Sequence, residues 1–145
     1  MQVKENELKH LFNLSYGEKP PTKEEWESLY SDQVKFIDPT QEKKGIDAYI
    51  KSQDRLIKRC DDVFLKSHSI AINKNIAFVE WTMGLKIKGL EFFYDGTTRL
   101  IFDEEGKIKE HRDYFDFCSG TFGRVPIIGG FFDGYIQGLL IRINY

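Results

Sequence analysis

Hydrophobic positions recur along this chain with two different periods, and the change falls at Asp61-Asp62. Upstream the period is helical. Leu8, Leu11, Phe12 and Leu14 mark roughly one face over Glu7 to Tyr16, until Gly17, Pro20 and Pro21 break the pattern. Thr22 to Glu25 reads T-K-E-E, a capping box in which Thr22 takes a free first-turn amide and Glu25 reaches back. Trp26, Leu29 and Tyr30 follow at helical spacing, which predicts a helix over about 22 to 31. Val34 to Ile37 reads as a short strand, stopped at Asp38-Pro39 because Pro39 has no ladder donor. After Gly45, Ile46, Tyr49, Ile50, Leu56, Ile57 and Cys60 line one side of a helix over about 45 to 59. Lys51, Asp54, Arg55 and Lys58 line the other.

Downstream of Asp62 the period is two. Val63 to Asn73, Ile76 to Ile87, Leu90 to Phe102 and Lys107 to Asp116 read as four long antiparallel strands. Tight turns separate them at Lys74-Asn75, at Lys88-Gly89 and at Asp103 to Gly106, where Gly106 can take positive φ. Helices first and meandering strands afterwards indicate an α+β fold rather than a parallel α/β sheet. A strongly curved sheet wrapped around helices makes a cone with an apolar interior, a natural small-molecule pocket.

The composition narrows the function classes. A chain of 145 residues suits one domain, here residues 1–145, and the 41% hydrophobic content is that of a folded chain. Lys and Arg number 21 against 23 Asp and Glu, a formal charge of −2 without the clustered basic surface that nucleic-acid binding requires. Cys60 and Cys118 are too few for a disulfide scaffold and read as reduced thiols of a cytoplasmic protein. The first ten residues are charged and carry no signal-peptide core. No uninterrupted apolar run reaches the roughly 18 residues of a spanning helix. His10 and His68 lack a second ligand at metal spacing, so neither a metal nor a cofactor is expected.

Two stretches carry a family resemblance. G-K-I-K-E-H-R-D-Y-F-D, Gly106 to Asp116, resembles the last strand of SnoaL-like and limonene-epoxide-hydrolase-like proteins. V-K-F-I-D-P, Val34 to Pro39, followed by Gly45 and an amphipathic helix, resembles the corresponding part of ketosteroid isomerases. Both belong to the nuclear transport factor 2-like superfamily, which implies the cone-shaped fold with its curved antiparallel sheet around N-terminal helices. The resemblance places Asp38 where the isomerases keep a proton-shuttling aspartate, and Asp113 where the epoxide hydrolases use an aspartate. It also exposes departures. Trp81 and Met83 stand where those hydrolases have an arginine and a second aspartate, while Phe36 and Asp38 replace their tyrosine and asparagine. Thr98 falls near the isomerases' oxyanion-hole aspartate. Leu14 falls near their oxyanion tyrosine, with Tyr16 two residues on.

Strand parity then groups the candidates, because alternate residues share a face. His111, Asp113 and Phe115 share one face, which the resemblance turns toward the cavity together with Phe36 and Asp38. The candidate catalytic residues are Asp38, His111 and Asp113. A desolvated carboxylate becomes a usable base, and an imidazole can orient or transfer a proton. Each also has a plain reading: Asp113 as an exposed carboxylate or a salt bridge to Arg99 or Arg112, Asp38 as a turn residue before proline, His111 as an edge-of-sheet histidine. The candidate ligand-binding residues are Tyr16, Phe36, Trp81, Met83, Phe92, Tyr94, Thr98 and Phe115, with Tyr16, Tyr94, Thr98 and His111 as donors for an enolate-like oxygen.

Residues 117–145 form an apolar, glycine-rich tail with Gly130, Gly134 and Gly138 four apart. Packing on its own domain or on a dimer partner is the leading expectation, ahead of a lid over the cone and of a membrane-surface contact. The functional expectation is a cofactor-independent, SnoaL-like enzyme of isomerase, cyclase or hydrolase type. It would act by carboxylate general acid/base chemistry on a small apolar molecule, as a homodimer. The alternative is a non-catalytic ligand- or protein-binding module on the same fold.

Overall fold

The computed structural model describes residues 5–13 and 19–122. Helix α1 (Glu5–Leu11) and helix α2 (Lys23–Leu29) precede strand β1 (Tyr30–Asp38) and strand β2 (Gln41–Lys44). Helix α3 (Ile46–Arg59) leads into β3 (Asp62–Asn73), β4 (Ile76–Ile87), β5 (Leu90–Phe102) and β6 (Ile108–Phe115), and α4 (Phe117–Phe122) follows. The strands form one curved, unclosed sheet in the order β2-β1-β6-β5-β4-β3. The meander from β3 to β6 is antiparallel throughout, as the two-residue period indicates. At its β6 side β1 joins by a parallel ladder, so the sheet is mixed.

The local signals act as their chemistry requires. Thr22 caps α2 by accepting from the Glu25 amide at 3.2 Å, and the Glu25 carboxylate accepts from the Thr22 amide at 2.7 Å. Lys88 and Gly89 have φ of 50° and 80°, the pair of left-handed residues that lets a two-residue hairpin match the strand twist. In β3 the register slips between Ser67 and Ser69, leaving His68 at an irregularity that bends the outer strand.

Several boundaries and elements differ from the sequence reading; α1 starts at Glu5 and ends at Leu11, before the helical face read over Glu7 to Tyr16 runs out. Tyr30 is not the end of a helix but the first residue of β1. Its backbone is extended (φ −110°, ψ 143°) and it pairs with Ile108. The helical spacing from Trp26 arose because α2 ends one residue earlier and delivers Tyr30 into the same core. Strand β2 is Q-E-K-K, which carries no apolar residue and so no periodic signal; its pairing with β1 alone defines it. Helix α4 was not anticipated. Tyr16, Leu14 and residues 123–145 of the tail lie outside the described residues.

The core lies between the concave sheet face and the helices. Helix α3 packs on β1 and β2, α1 on β3, and α4 on β5. Trp26, Tyr30, Val34, Phe36, Tyr49, Val79, Trp81, Leu100 and Ile108 are all buried there. The opposite face is wetter. It carries Phe64, Phe78 and Tyr114 as exposed aromatics, with the Arg112 guanidinium 5.6 Å from the Tyr114 ring centre. Among the described residues no helix is long and apolar enough to cross a membrane.

Candidate functional site

Sheet register decides what meets inside the cone. Trp81 lies opposite Gly96 and Gly96 opposite Phe115; Val79 lies opposite Thr98 and Thr98 opposite Asp113. His111 faces Leu100 on one side and Phe36 on the other. Side chains directly across a ladder point to the same face. Trp81, Thr98, His111, Asp113, Phe115 and Phe36 therefore share the concave side.

They surround a cavity of about 200 Å³. Met83, Leu65, Leu85, Tyr94 and Phe115 contribute to its apolar wall, and Leu56 and Ile57 of α3 line it too. His111 and Asp113 supply polar groups on the sheet side, and Asp38, Thr40 and Gln41 supply more at the β1–β2 turn. Phe92, expected among the ligand contacts, instead packs against the core beside the cavity wall.

A connected set of hydrogen bonds fills the polar side. His111 Nε2 lies 2.8 Å from Asp113 Oδ1, and Thr98 donates its hydroxyl proton to the same oxygen. Trp81 Nε1 donates to Thr98 Oγ1 at 2.7 Å. On the other side of the imidazole, the Tyr30 hydroxyl lies 2.8 Å from His111 Nδ1, and Tyr49 donates to the Tyr30 oxygen at 3.1 Å. Thr98 and Tyr30 are fully buried, and His111 is 6% exposed. Polar groups held this far from water need such partners, because an unpaired one costs about 1–3 kcal/mol. Asp113 keeps its second oxygen, Oδ2, without a hydrogen bond among the described residues, and its side chain borders the cavity.

Asp38 is arranged differently. Its Oδ1 accepts from the Thr40 amide at 2.6 Å, the Thr40 hydroxyl at 2.7 Å and the Gln41 amide at 3.0 Å. Its Oδ2 accepts from Gln41 Nε2 at 2.9 Å. Both oxygens are engaged in closing the turn from β1 to β2, the ordinary use of an aspartate before proline.

Close approach of backbone shapes the apolar wall. A Cβ on Gly96 would stand 2.5 Å from the Trp81 ring, so glycine is what lets the indole approach β5 this closely. Gly120 of α4 seats Tyr94 in the same way, and the Tyr94 hydroxyl lies 2.7 Å from Thr121 Oγ1. Phe117 stacks near Tyr94 and lines the cavity, so α4 contributes to the enclosure.

Sequence reasoning missed Tyr30 and Tyr49 as polar members of this set. Both stand at helical spacing among apolar residues, and that spacing reads as an apolar face. A buried tyrosine hydroxyl nonetheless seeks a partner, and two tyrosines on core-facing positions are a signal for one. Nothing in the sequence indicated that Phe12, from the end of α1, would approach His111, with ring centres 6.2 Å apart.

Comparison with known proteins places this geometry in a family. Residues 19–111 match the SnoaL-like domain. A structure described as a SnoaL-like polyketide cyclase from Jannaschia superposes with a TM-score of 0.70 at 13% identity, covering 89% of this chain and 98% of that one. An epoxide hydrolase of the limonene-epoxide-hydrolase-like type from M. tuberculosis gives 0.61 at 20% identity, over 71% and 73% of the two chains. A nuclear transport factor 2-like protein of unknown function from Exiguobacterium gives 0.57 at 25% identity, over 62% and 79%. No curated protein matches the sequence. At these identities the structures speak for the shared cone alone. The matched domain spans β1 and the meander as far as His111, and the chain belongs to the SnoaL-like domain family.

Proposed function

We propose that the protein is a cofactor-independent enzyme that removes a proton from, or directs water onto, a small apolar molecule held in the cone. Asp113 is the general base, acting through Oδ2, while His111 and Thr98 hold Oδ1. The observation that carries this reading is the asymmetric carboxylate: Oδ1 takes two hydrogen bonds, Oδ2 takes none among the described residues, and the side chain lines the cavity. A positioned base of this kind contributes about 100- to 10,000-fold to a proton-transfer step. Tyr94 lines the same cavity, and with its hydroxyl accepting from Thr121 Oγ1 it keeps a proton to meet developing negative charge on a ligand oxygen. Asp38 has a structural part, holding the β1–β2 turn at the cavity rim.

The reading is tested without knowing the substrate by incubating the protein in D2O with a panel of apolar ketones and with apolar epoxides. Deuterium incorporation beside a carbonyl, or diol formation from an epoxide, above the buffer rate is the expected result. Binding of panel members with neither reaction would favour the second reading, a non-catalytic binding module. That second reading draws on Trp81 and Met83, apolar side chains on the cavity wall where the related hydrolases carry charged groups.

We also propose that two copies associate through the outer sheet face, where Phe64, Phe78 and Tyr114 are exposed. Sedimentation at micromolar concentration is expected to give a dimer, and a monomer alone would reject this. A cytoplasmic location accords with the free thiols Cys60 and Cys118.

A further inference from the structure

We infer that Trp81 and Tyr30 are positioning residues that fix the direction of both hydrogen bonds on Asp113 Oδ1 and so leave Oδ2 as the oxygen offered to a ligand. This rests on the reading of Asp113 as the base, but the geometry behind it is separate from any turnover. A threonine hydroxyl has one proton, and an indole N–H can only donate. Trp81 Nε1 points its hydrogen at Thr98 Oγ1 across 2.7 Å. The oxygen of Thr98 accepts there, and its own proton goes to Asp113.

The second arm follows the same rule. An ionised carboxylate only accepts, so His111 Nε2 carries the hydrogen toward Oδ1. In the neutral ring Nδ1 then holds a lone pair, and the Tyr30 hydroxyl 2.8 Å away donates to it. The Tyr30 oxygen accepts in turn from Tyr49. Every hydrogen therefore runs toward one atom: Trp81 to Thr98 to Oδ1 from one side, and Tyr49 to Tyr30 to His111 to Oδ1 from the other. Trp81, Tyr30, Tyr49 and Thr98 are each 3% exposed or less, so bulk water does not compete for these bonds. Oδ1 is spent on the scaffold. A carboxylate held by two directed donors cannot rotate to exchange its oxygens without breaking both arms, so a ligand meets Oδ2 in one orientation.

The test is nitrogen-15 NMR of the histidine rings followed with rising pH and read on the neutral ring, with His10 and His68 identified by H10Q and H68Q. Wild-type His111 is expected as the single Nε2–H tautomer. Tyr30→Phe removes the donor to Nδ1, and the two ring-nitrogen shifts of His111 should move toward each other as the ring loses its fixed setting. Trp81→Phe and Thr98→Val should each produce a smaller movement of the same sign, while Thr98→Ser, which keeps the hydroxyl, restores the wild-type pattern. If Tyr30→Phe fails to fold, Tyr49→Phe tests the same arm one bond further out. An Nδ1–H tautomer in the wild type overturns the whole assignment. Wild-type shifts in both Trp81→Phe and Thr98→Val overturn the Trp81 arm, and wild-type shifts in Tyr30→Phe overturn the Tyr30 arm. The tautomer pattern without any detectable reaction would defeat the catalytic reading and leave the positioning intact.

Discussion

Two aspartates border the same cavity, and their partners separate them. Asp38 takes all four of its hydrogen bonds from Thr40 and Gln41, two and three residues away in sequence. Asp113 takes its bonds from Thr98, on the neighbouring strand, and from His111, two residues away on the same strand face. The first carboxylate is occupied by making a turn. The second is held at one oxygen by a sheet that exists for other reasons. The two carboxylates thus differ in what the second oxygen is left to do, and the proposed function rests on that difference. The outer face adds a control: His68, Thr82 and Asp95 repeat the same three residue types in hydrogen-bonded contact, but His68 and Asp95 are exposed. There water screens the charges and competes for every bond.

The largest expected effect that sharpens this contrast is Asp113→Asn. It preserves shape while removing the proton acceptor, and turnover in the D2O or epoxide assay should fall roughly 100-fold or more with folding intact by circular dichroism. Next is Trp81→Ala. Trp81 is 3% exposed and its loss should destabilise the protein by about 3–5 kcal/mol, measured by urea unfolding. Gly96→Ala probes the same wall from below. The new methyl would meet the Trp81 ring at 2.5 Å and should cost about 1–3 kcal/mol by displacing the indole. Asp38→Ala opens the β1–β2 turn, and a loss of about 1–2 kcal/mol is expected from its several local hydrogen bonds.

The smallest effect concerns Cys60, just past α3. Burial first, and the Asp61 charge second, push its thiol above the ordinary value. Only the thiolate reacts, so at pH 8 its alkylation should be slower than that of free cysteine, with the rate rising only at higher pH. Alkylation as fast as the free amino acid would contradict the burial of this thiol.

Much of the architecture was legible because its signals are local. The T-K-E-E box, the amphipathic face of α3 and the period-two strands each depend on a few neighbouring residues. Strand parity groups His111, Asp113 and Phe115 on one face of the last strand, since alternation survives however the sheet bends; that Trp81 and Thr98 share that face is set by the ladder register. Strand β2 was invisible because Q-E-K-K pairs only through its backbone. The role of Tyr30 was hidden by a coincidence of spacing with Trp26, and its bond to His111 spans 81 residues of sequence. No local rule reaches that far. The plain reading of Asp38 as a turn residue was equally available from D-P, and the hydrogen bonds now give it content.

The most direct measurement is the ratio of exchange or hydrolysis rates between Asp113→Asn and Asp38→Asn, made side by side on the best member of the panel. The account predicts that Asp113→Asn loses roughly 100-fold or more while Asp38→Asn stays within about 10-fold of wild type. Equal losses in the two variants, or a larger loss in Asp38→Asn, would contradict the assignment of the base to Asp113.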